Sequence, residues 1–409
     1  MSFDTGLSGL SASSTQLDVI GNNISNSSTV GFKASDVQFA DVYANSLGGG
    51  GAAPVGIGVS ASDISQQFSQ GTISTDSNPL DIAINGNGFY QLSNNGTISY
   101  SRNGQFQLNA QGEIVNASGA NLQGYNASAN GVLNTGVTTN LVINAANIPP
   151  KVTTTVGSVL NLDSSSPVLA VPFDPTNPNT FAYSTSVTVY DSLGNSHSLQ
   201  TYYTNQGLVG ANDKWNVYAT LDGTSVSVLP ATVGSLTFNS AGALTTTPTT
   251  IPLAIPLTNG AANLAISMAL TGTTQYGTSS GVNSQVQNGF SSGELTQFSA
   301  GANGIITGTY SNGQTQTLGQ IVLNNFVNPG GLAAAGNNSW YATSASGAAL
   351  LGTPGSGSLG VLQSDAVENS TTDLTSELVN MITAQQNYQA NAQTIKTEDQ
   401  ITQILTTLR

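Results

Sequence analysis

Residues able to do chemistry are few in this 409-residue chain, and their spacing argues against catalysis. There is one histidine, His197, and no cysteine. A nucleophile–base–orienter set therefore has no second candidate base, and neither a disulfide framework nor a thiolate metal site can form. His197 lies among polar residues of a strand-like run and reads as a surface or turn residue. The segment Gly355-Ser356-Gly357-Ser358-Leu359-Gly360 fits the dinucleotide fingerprint in its letters. It follows Thr353-Pro354 rather than a strand and opens no helix at once, so it reads as a loop feeding a terminal helix. Asp174 to Asn179 lacks the downstream bidentate Glu and the regular ligand spacing of a calcium loop, and its prolines fit a turn. Glu113 and Glu294 are candidates for paired carboxylates only by default. No catalytic residue, cofactor or metal is expected, and the chain does not read as an enzyme.

Composition points the same way. Only 6% of residues are charged, so the surface must be covered by hydroxyls and amides. With 20 acidic against 6 basic residues and a net charge of −14, the chain lacks the basic patch that nucleic acid requires. Lys33, Arg102, Lys151, Lys214, Lys396 and Arg409 are scattered along it. No apolar run approaches a membrane span, and no cationic region precedes an apolar stretch at the N-terminus, so neither membrane insertion nor a cleaved signal peptide is expected.

The elements that must organise the molecule lie at its ends. Asp373 to Leu408 contains neither Gly nor Pro and predicts a helix of about 54 Å, with Asp373 as N-cap. Leu374, Leu378, Met381, Gln385, Tyr388, Ala392 and Ile395 follow the spacing of one helix face. Ile401, Ile404, Leu405 and Leu408 fall roughly half a turn away, so this helix presents two apolar faces. At the other end Phe3, Leu10, Leu17 and Ile24 recur every seven residues with Leu7 between them. Gly6, Gly9 and Gly21 make this N-terminal helix marginal alone, and the economical arrangement pairs the two seams, with Tyr388 in the core of that pairing.

Between the ends the period changes to two. Asp81 to Leu92 and Ser99 to Leu108 alternate apolar and polar residues, and Asn-Gly pairs at 85–86, 95–96, 103–104, 130–131, 259–260, 288–289, 303–304 and 312–313 mark tight β-turns. Pro149-Pro150 opens a second β-rich block with strand-like runs at 183–190 and 215–221, which ends near Gly289. The expected fold is mainly β and multidomain, with long terminal α-helices. Residues 1–24 and 370–409 form a paired, coiled-coil-like helical domain, and 25–71 a Gly/Ser/Asn-rich connector that is most flexible at Gly48 to Gly51. Residues 72–146 and 290–369 form a discontinuous β core, interrupted by an inserted outer β domain at 147–289.

Leu17, Gly21-Asn22-Asn23-Ile24, Asn26, Thr29, Gly31-Phe32-Lys33 and Phe39 resemble the amino-terminal signature of the bacterial flagellar axial proteins, the rod and hook family. Glu377 to Gln385, Tyr388 to Ala392 and Ile395-Lys396-Thr397 resemble that family's C-terminal signature. Ile84 to Tyr125, with Arg102-Asn103-Gly104-Gln105-Phe106, and the turn Asp191 to Asn195 are similar to hook-type members. Gln386 stands where the family usually has Arg, and 367–374 is slightly fuller than the common form. The resemblance implies a self-polymerising structural subunit of the flexible curved tube that joins rod to filament and transmits motor torque. It implies secretion through the flagellar export apparatus to the cell exterior, and contacts with the distal rod, hook cap and hook–filament junction proteins. Rod-type members lack the inserted block, which leaves a distal rod or other axial protein as the nearer alternative. A secreted polysaccharide-binding or hydrolytic β-protein is the alternative of a different class.

Overall fold

In a computed structural model, residues 2–42, 56, 58–226 and 232–407 are described. The Gly48 to Gly51 stretch and Leu408 lie outside them, as do the side chains of Leu405 and its C-terminal neighbours. The chain is mostly strand, with one long helix at each end: α1, Ser2–Ser25, and α2, Leu374–Thr407. Asp373 caps α2, its Oδ1 accepting the N–H groups of Thr375 at 2.9 Å and Ser376 at 3.3 Å. The chain divides into two compact units.

The first unit comprises 1–145, 297–309 and 315–409. Here α1 and α2 pack against each other, and α1 also contacts the antiparallel pair β1, Ser35–Val42, and β2, Gly58–Gln66. That pair corrects the expectation of a plain connector over 25–71: Ser35 opposes Gln66 and Val42 opposes Gly58, with a bulge between Gln38 and Phe39. After them, β3, Ile73–Thr75, pairs with Ala366–Glu368, and β4, Ile82–Asn85, pairs with Val361–Ser364, so both partners come from the chain's last quarter. β5, Phe89–Asn94, and β6, Thr97–Ser101, form a hairpin closed by Asn95-Gly96. β5 also pairs with Asn121–Asn126 and Leu323–Asn325. Phe89, Tyr100, Phe326 and Trp340 form a buried cluster against this sheet, and Phe68 packs edge-to-face on Phe89 at 5.5 Å and on Trp340 at 5.4 Å between centroids.

The second unit comprises 146–296 and 310–314. Two five-stranded sheets build it, one around Thr155–Asp163 and one around Ser196–Val209 and Asn212–Leu221. Their inner residues share one core, in which Leu160, Tyr203, Trp215, Val217 and Phe238 are fully buried. The period of two is visible in Thr250–Ile255, where Ile251, Leu253 and Ile255 point inward and the residues between them outward.

Candidate assembly surface and the buried charges behind it

On α1 the face turned inward carries small and polar residues. Gly6, Ala12, Ser13, Ile20 and Asn23 are buried, while Phe3 and Leu7 are 51% and 52% exposed and Leu10, Leu17 and Ile24 are half-buried. A Cβ at Gly9 would lie 2.7 Å from the Asn391 carboxamide, and one at Gly6 would lie 3.0 Å from Ile395 Cγ1. At the other end Asn23 Nδ2 donates to Glu377 Oε1 at 3.0 Å, so α1 and α2 run antiparallel. Glu377, Met381, Ala384, Asn391, Ile395 and Glu398 are the buried or half-buried positions on this side of α2, and their spacing is that of a heptad seam.

The expected apolar seam is thereby corrected for contacts within the chain. Met381 and Ile395 belong to the helix pairing and Ala392 is half-buried. Leu374, Leu378, Tyr388 and Ile401 face outward, Leu378 being 46% exposed and Tyr388 37% rather than core. Beside Asn391 and Ile395 the physical reason is proximity: a Cβ at Gly9 or Gly6 would crowd those residues, so the inward face of α1 there has no room for a large side chain. The result is a helix pair whose outer faces are apolar, with Val379 at 59%, Ile382 at 56% and Ile404 at 58% exposure alongside the residues just named.

The motif at the end of α1 joins this pair to the β framework. Asn23 is 1% exposed; its carboxamide exchanges hydrogen bonds with the backbone of Ser35 at 2.8 and 3.0 Å while also holding Glu377. Asn22 is exposed, and its carbonyl accepts the Asn26 N–H. Gly31 has φ +70, and a Cβ there would meet the Asn103 backbone at 2.7 Å, so only glycine fits; its N–H donates to the Glu368 carbonyl at 2.8 Å. The half-buried Phe32 receives the Thr371 N–H on its carbonyl.

Lys33 is fully buried. Its Nζ donates to Glu368 Oε1 at 2.7 Å and to the Ser69 carbonyl at 2.6 Å. Gly71 N–H donates to the same Oε1 at 2.8 Å, and Arg102 Nη1 stands 3.5 Å from Glu368 Oε2. The Arg102 guanidinium lies over the Phe89 ring, 5.5 Å from its centroid. Burial pushes the Lys33 amine below its usual range, with Glu368 opposing that and Arg102 adding to it. Burial likewise lowers Arg102, opposed by Glu368. Two cations on one carboxylate thus join the chain's first forty residues, its β core and the strand leading to α2. Sequence reading missed Glu368 as their partner, although Lys33 and Arg102 both stand inside the matched motifs and charges are scarce throughout.

The residues weighed for chemistry serve turns and packing. His197, expected at a surface or turn, is half-buried beside the Asp191–Asn195 turn and held between carboxylates, with Nδ1 2.6 Å from Asp222 Oδ2 and Nε2 3.3 Å from Asp191 Oδ2. Burial opposes protonation of the ring, but the bonds to Asp222 and Asp191 outweigh it and raise its pKa. Burial also works to raise Asp191, yet donors from Asn195, Asn259 and His197 hold it well below the usual carboxylate range. Asp174 Oδ1 accepts from Thr176, closing a turn. Gly355 N–H bonds the Gly360 carbonyl, and Gly360 backs onto Gly86, so the glycine-rich segment is a packed β-turn. Glu113 is held by Asn109 and Asn140 in the first unit, and Glu294 belongs to the second. Among the described residues no cluster of metal-ligating groups occurs and no helix is long and apolar enough to cross a membrane.

Four family descriptions match this chain. Residues 3–33 match "Flagella basal body rod protein" and 363–408 "Flagellar basal body rod FlgEFG protein C-terminal". Residues 83–159 match "Flagellar hook protein FlgE/F/G D1 domain" and 161–290 "Flagellar basal body protein FlaE D2 domain". The chain is 42% identical to the flagellar hook protein FlgE of Escherichia coli over the whole of both chains, and 42% identical to that of Salmonella typhimurium at the same coverage. It is 31% identical to the hook protein of Borreliella burgdorferi over 99% of this chain and 98% of that one. The crystal structure of Helicobacter pylori flagellar hook protein FlgE2 covers 72% of this chain and all of its own, with a TM-score of 0.54 at 15% identity, a likeness of fold. With its motif residues at the joint of a helix pair and a β framework, and with relatives matching end to end, the chain belongs to the flagellar hook protein family and is a structural subunit of the bacterial flagellar hook.

Proposed function

We propose that copies of this chain polymerise through the outward apolar faces of α1 and α2 into a flexible curved tube that joins rod to filament and carries motor torque. The observation that supports this is the inversion described above: the helices pair through glycine, serine and alanine while Phe3, Leu7, Leu378, Val379 and Ile382 stand in water. Burying each such side chain against a neighbour is worth about 1.5–3 kcal/mol. The small-residue seam keeps each pair intact while the outer faces bind other copies. The hydroxyl- and amide-covered β units outside the wall slide past neighbours with few ion pairs to break, which suits bending.

By the same reading the subunit leaves the cell through the flagellar export apparatus. It stands outside the cell in the hook, meets distal rod, hook cap and hook–filament junction proteins at its ends, and catalyses nothing. Electron microscopy of the purified chain tests the wall assignment. Wild type forms tubes, and Leu378→Ser with Ile382→Ser leaves folded subunits that do not assemble. Normal tubes from that variant would remove these faces from the wall.

A further inference from the structure

The chain holds nine Asn-Gly pairs, the sequence most prone to loss of the asparagine amide, and the structure separates one from the others. The reaction needs the glycine N–H free to attack the side-chain Cγ and the intervening backbone free to turn. In five pairs the glycine N–H is occupied: Gly86 donates to Gln70, Gly131 to Ser128, Gly289 to Gln287, Gly304 to Gly301 and Gly313 to Tyr310. In two more the carboxamide is held, Asn103 Oδ1 accepting from Gln105 N–H at 2.9 Å and Asn259 accepting from Ala261 N–H while donating to Asp191. Asn87 is tied by its carbonyl, which accepts the Gly360 N–H at 2.7 Å, and the following Gly88 is buried against Leu323 and Leu359.

Asn95-Gly96 has none of these restraints. Asn95 is exposed at the tip of the β5–β6 hairpin in the left-handed region, φ 49. Among the described residues neither its carboxamide nor the Gly96 N–H has a hydrogen-bond partner, and nothing lies within 4 Å of where a Gly96 Cβ would stand. We infer that Asn95 is the chain's principal site of spontaneous deamidation, a slow covalent modification with water as co-reactant. The Gly96 nitrogen gives up its proton to solvent base and bonds to Asn95 Cγ. The Cγ–Nδ2 bond breaks, and the nitrogen leaves as ammonia with a proton from water. Water then opens the five-membered imide at either carbonyl, giving aspartate or isoaspartate. The products add a negative charge, and isoaspartate adds a backbone methylene to a turn whose register sets Asn94 opposite Thr97.

Peptide mapping by mass spectrometry of the purified full-length chain, aged in mildly alkaline buffer with and without denaturant, tests this. In the native chain Asn95 converts several-fold faster than any of the other eight, and in denaturant the nine rates draw together. A native chain in which another Asn-Gly pair keeps pace with Asn95 overturns the inference. So does a denatured chain in which Asn95 leads by the same factor, because the preference would then be one of local sequence alone.

Discussion

Replacing Glu368 by Gln removes the one carboxylate that, among the described residues, faces Lys33 and Arg102, while keeping its volume. Lys33 and Glu368 have no exposed side-chain surface, and Arg102 has 3%. Taking one partner from a buried pair costs about 3–5 kcal/mol, because the remaining charge is left uncompensated. Gln retains an oxygen for the Gly71 N–H but brings no negative charge, so the full range applies. With a urea slope of about 2 kcal/mol/M, the midpoint falls by about 1.5–2.5 M. The two tryptophans report the units separately: Trp340 packs on Phe89 beneath Arg102 in the first unit, and Trp215 is buried in the second. Fluorescence of a Trp215→Phe background therefore follows the perturbed unit, and a Trp340→Phe background serves as the control. The pH dependence gives a second readout. Burial lowers the Lys33 pKa, so the native state binds fewer protons than the unfolded chain in the window below the unfolded value near 10.4, and this contribution to stability rises with pH there. Loss of Glu368 deepens the lowering, so the variant's deficit shrinks as pH rises toward the unfolded value. A midpoint shift below about 0.5 M in the Trp340 transition, or a deficit that grows with pH, would refute the argument that this carboxylate neutralises two buried cations.

Three other outcomes follow from the geometry. The raised His197 pKa contributes stability that is present below the unfolded value near 6.5 and lost as pH rises through the folded value, whereas the lowered Asp191 contributes above about 3.9 and is lost as pH falls through its folded value. Stability against thermal unfolding, followed at Trp215, is therefore greatest between these limits, and His197→Gln flattens the loss on the alkaline side. In α1, Gly21→Ala meets nothing within 4 Å and stabilises the helix by about 0.5–1 kcal/mol, whereas Gly9→Leu drives into Asn391 and weakens the pairing, so melting temperatures of the two variants move in opposite directions. Lys151 and Phe290 exchange both backbone hydrogen bonds at 3.0 Å, so replacing 152–289 with an Asn-Gly turn closes the chain without strain. The shortened subunit still forms tubes in electron micrographs, and a folded product that fails to assemble would assign part of the wall to the second unit.

What the sequence showed of this architecture follows from which forces act locally. The α2 boundaries were legible because Asp373 and the absence of Gly and Pro act within a turn or two of themselves, and Asn95-Gly96 marks a hairpin that needs no distant partner. The β1–β2 ladder was hidden by its serines and aspartates, since a ladder with one bulge and few buried residues leaves little apolar alternation to read. The joint was illegible for another reason: Lys33 and Glu368 are 335 residues apart, and no spacing rule spans such a distance. Between them the only clue was scarcity, since Lys33 and Arg102 are two of only 6 basic residues and both stand inside the motifs.

The helix seam divides between contacts within the chain and faces left outward. Periodicity finds the most apolar face of a helix, and in a monomer that face is the core. In the assembly proposed above, the most apolar face belongs to the neighbouring copy, and the contact within the chain falls to residues small enough for close approach. Gly6 and Gly9 read as helix weaknesses in the sequence, yet they are where α1 comes nearest to α2. The intrinsic cost of those glycines, up to about 1 kcal/mol each, is offset only when the helices are together, which makes α1 dependent on α2.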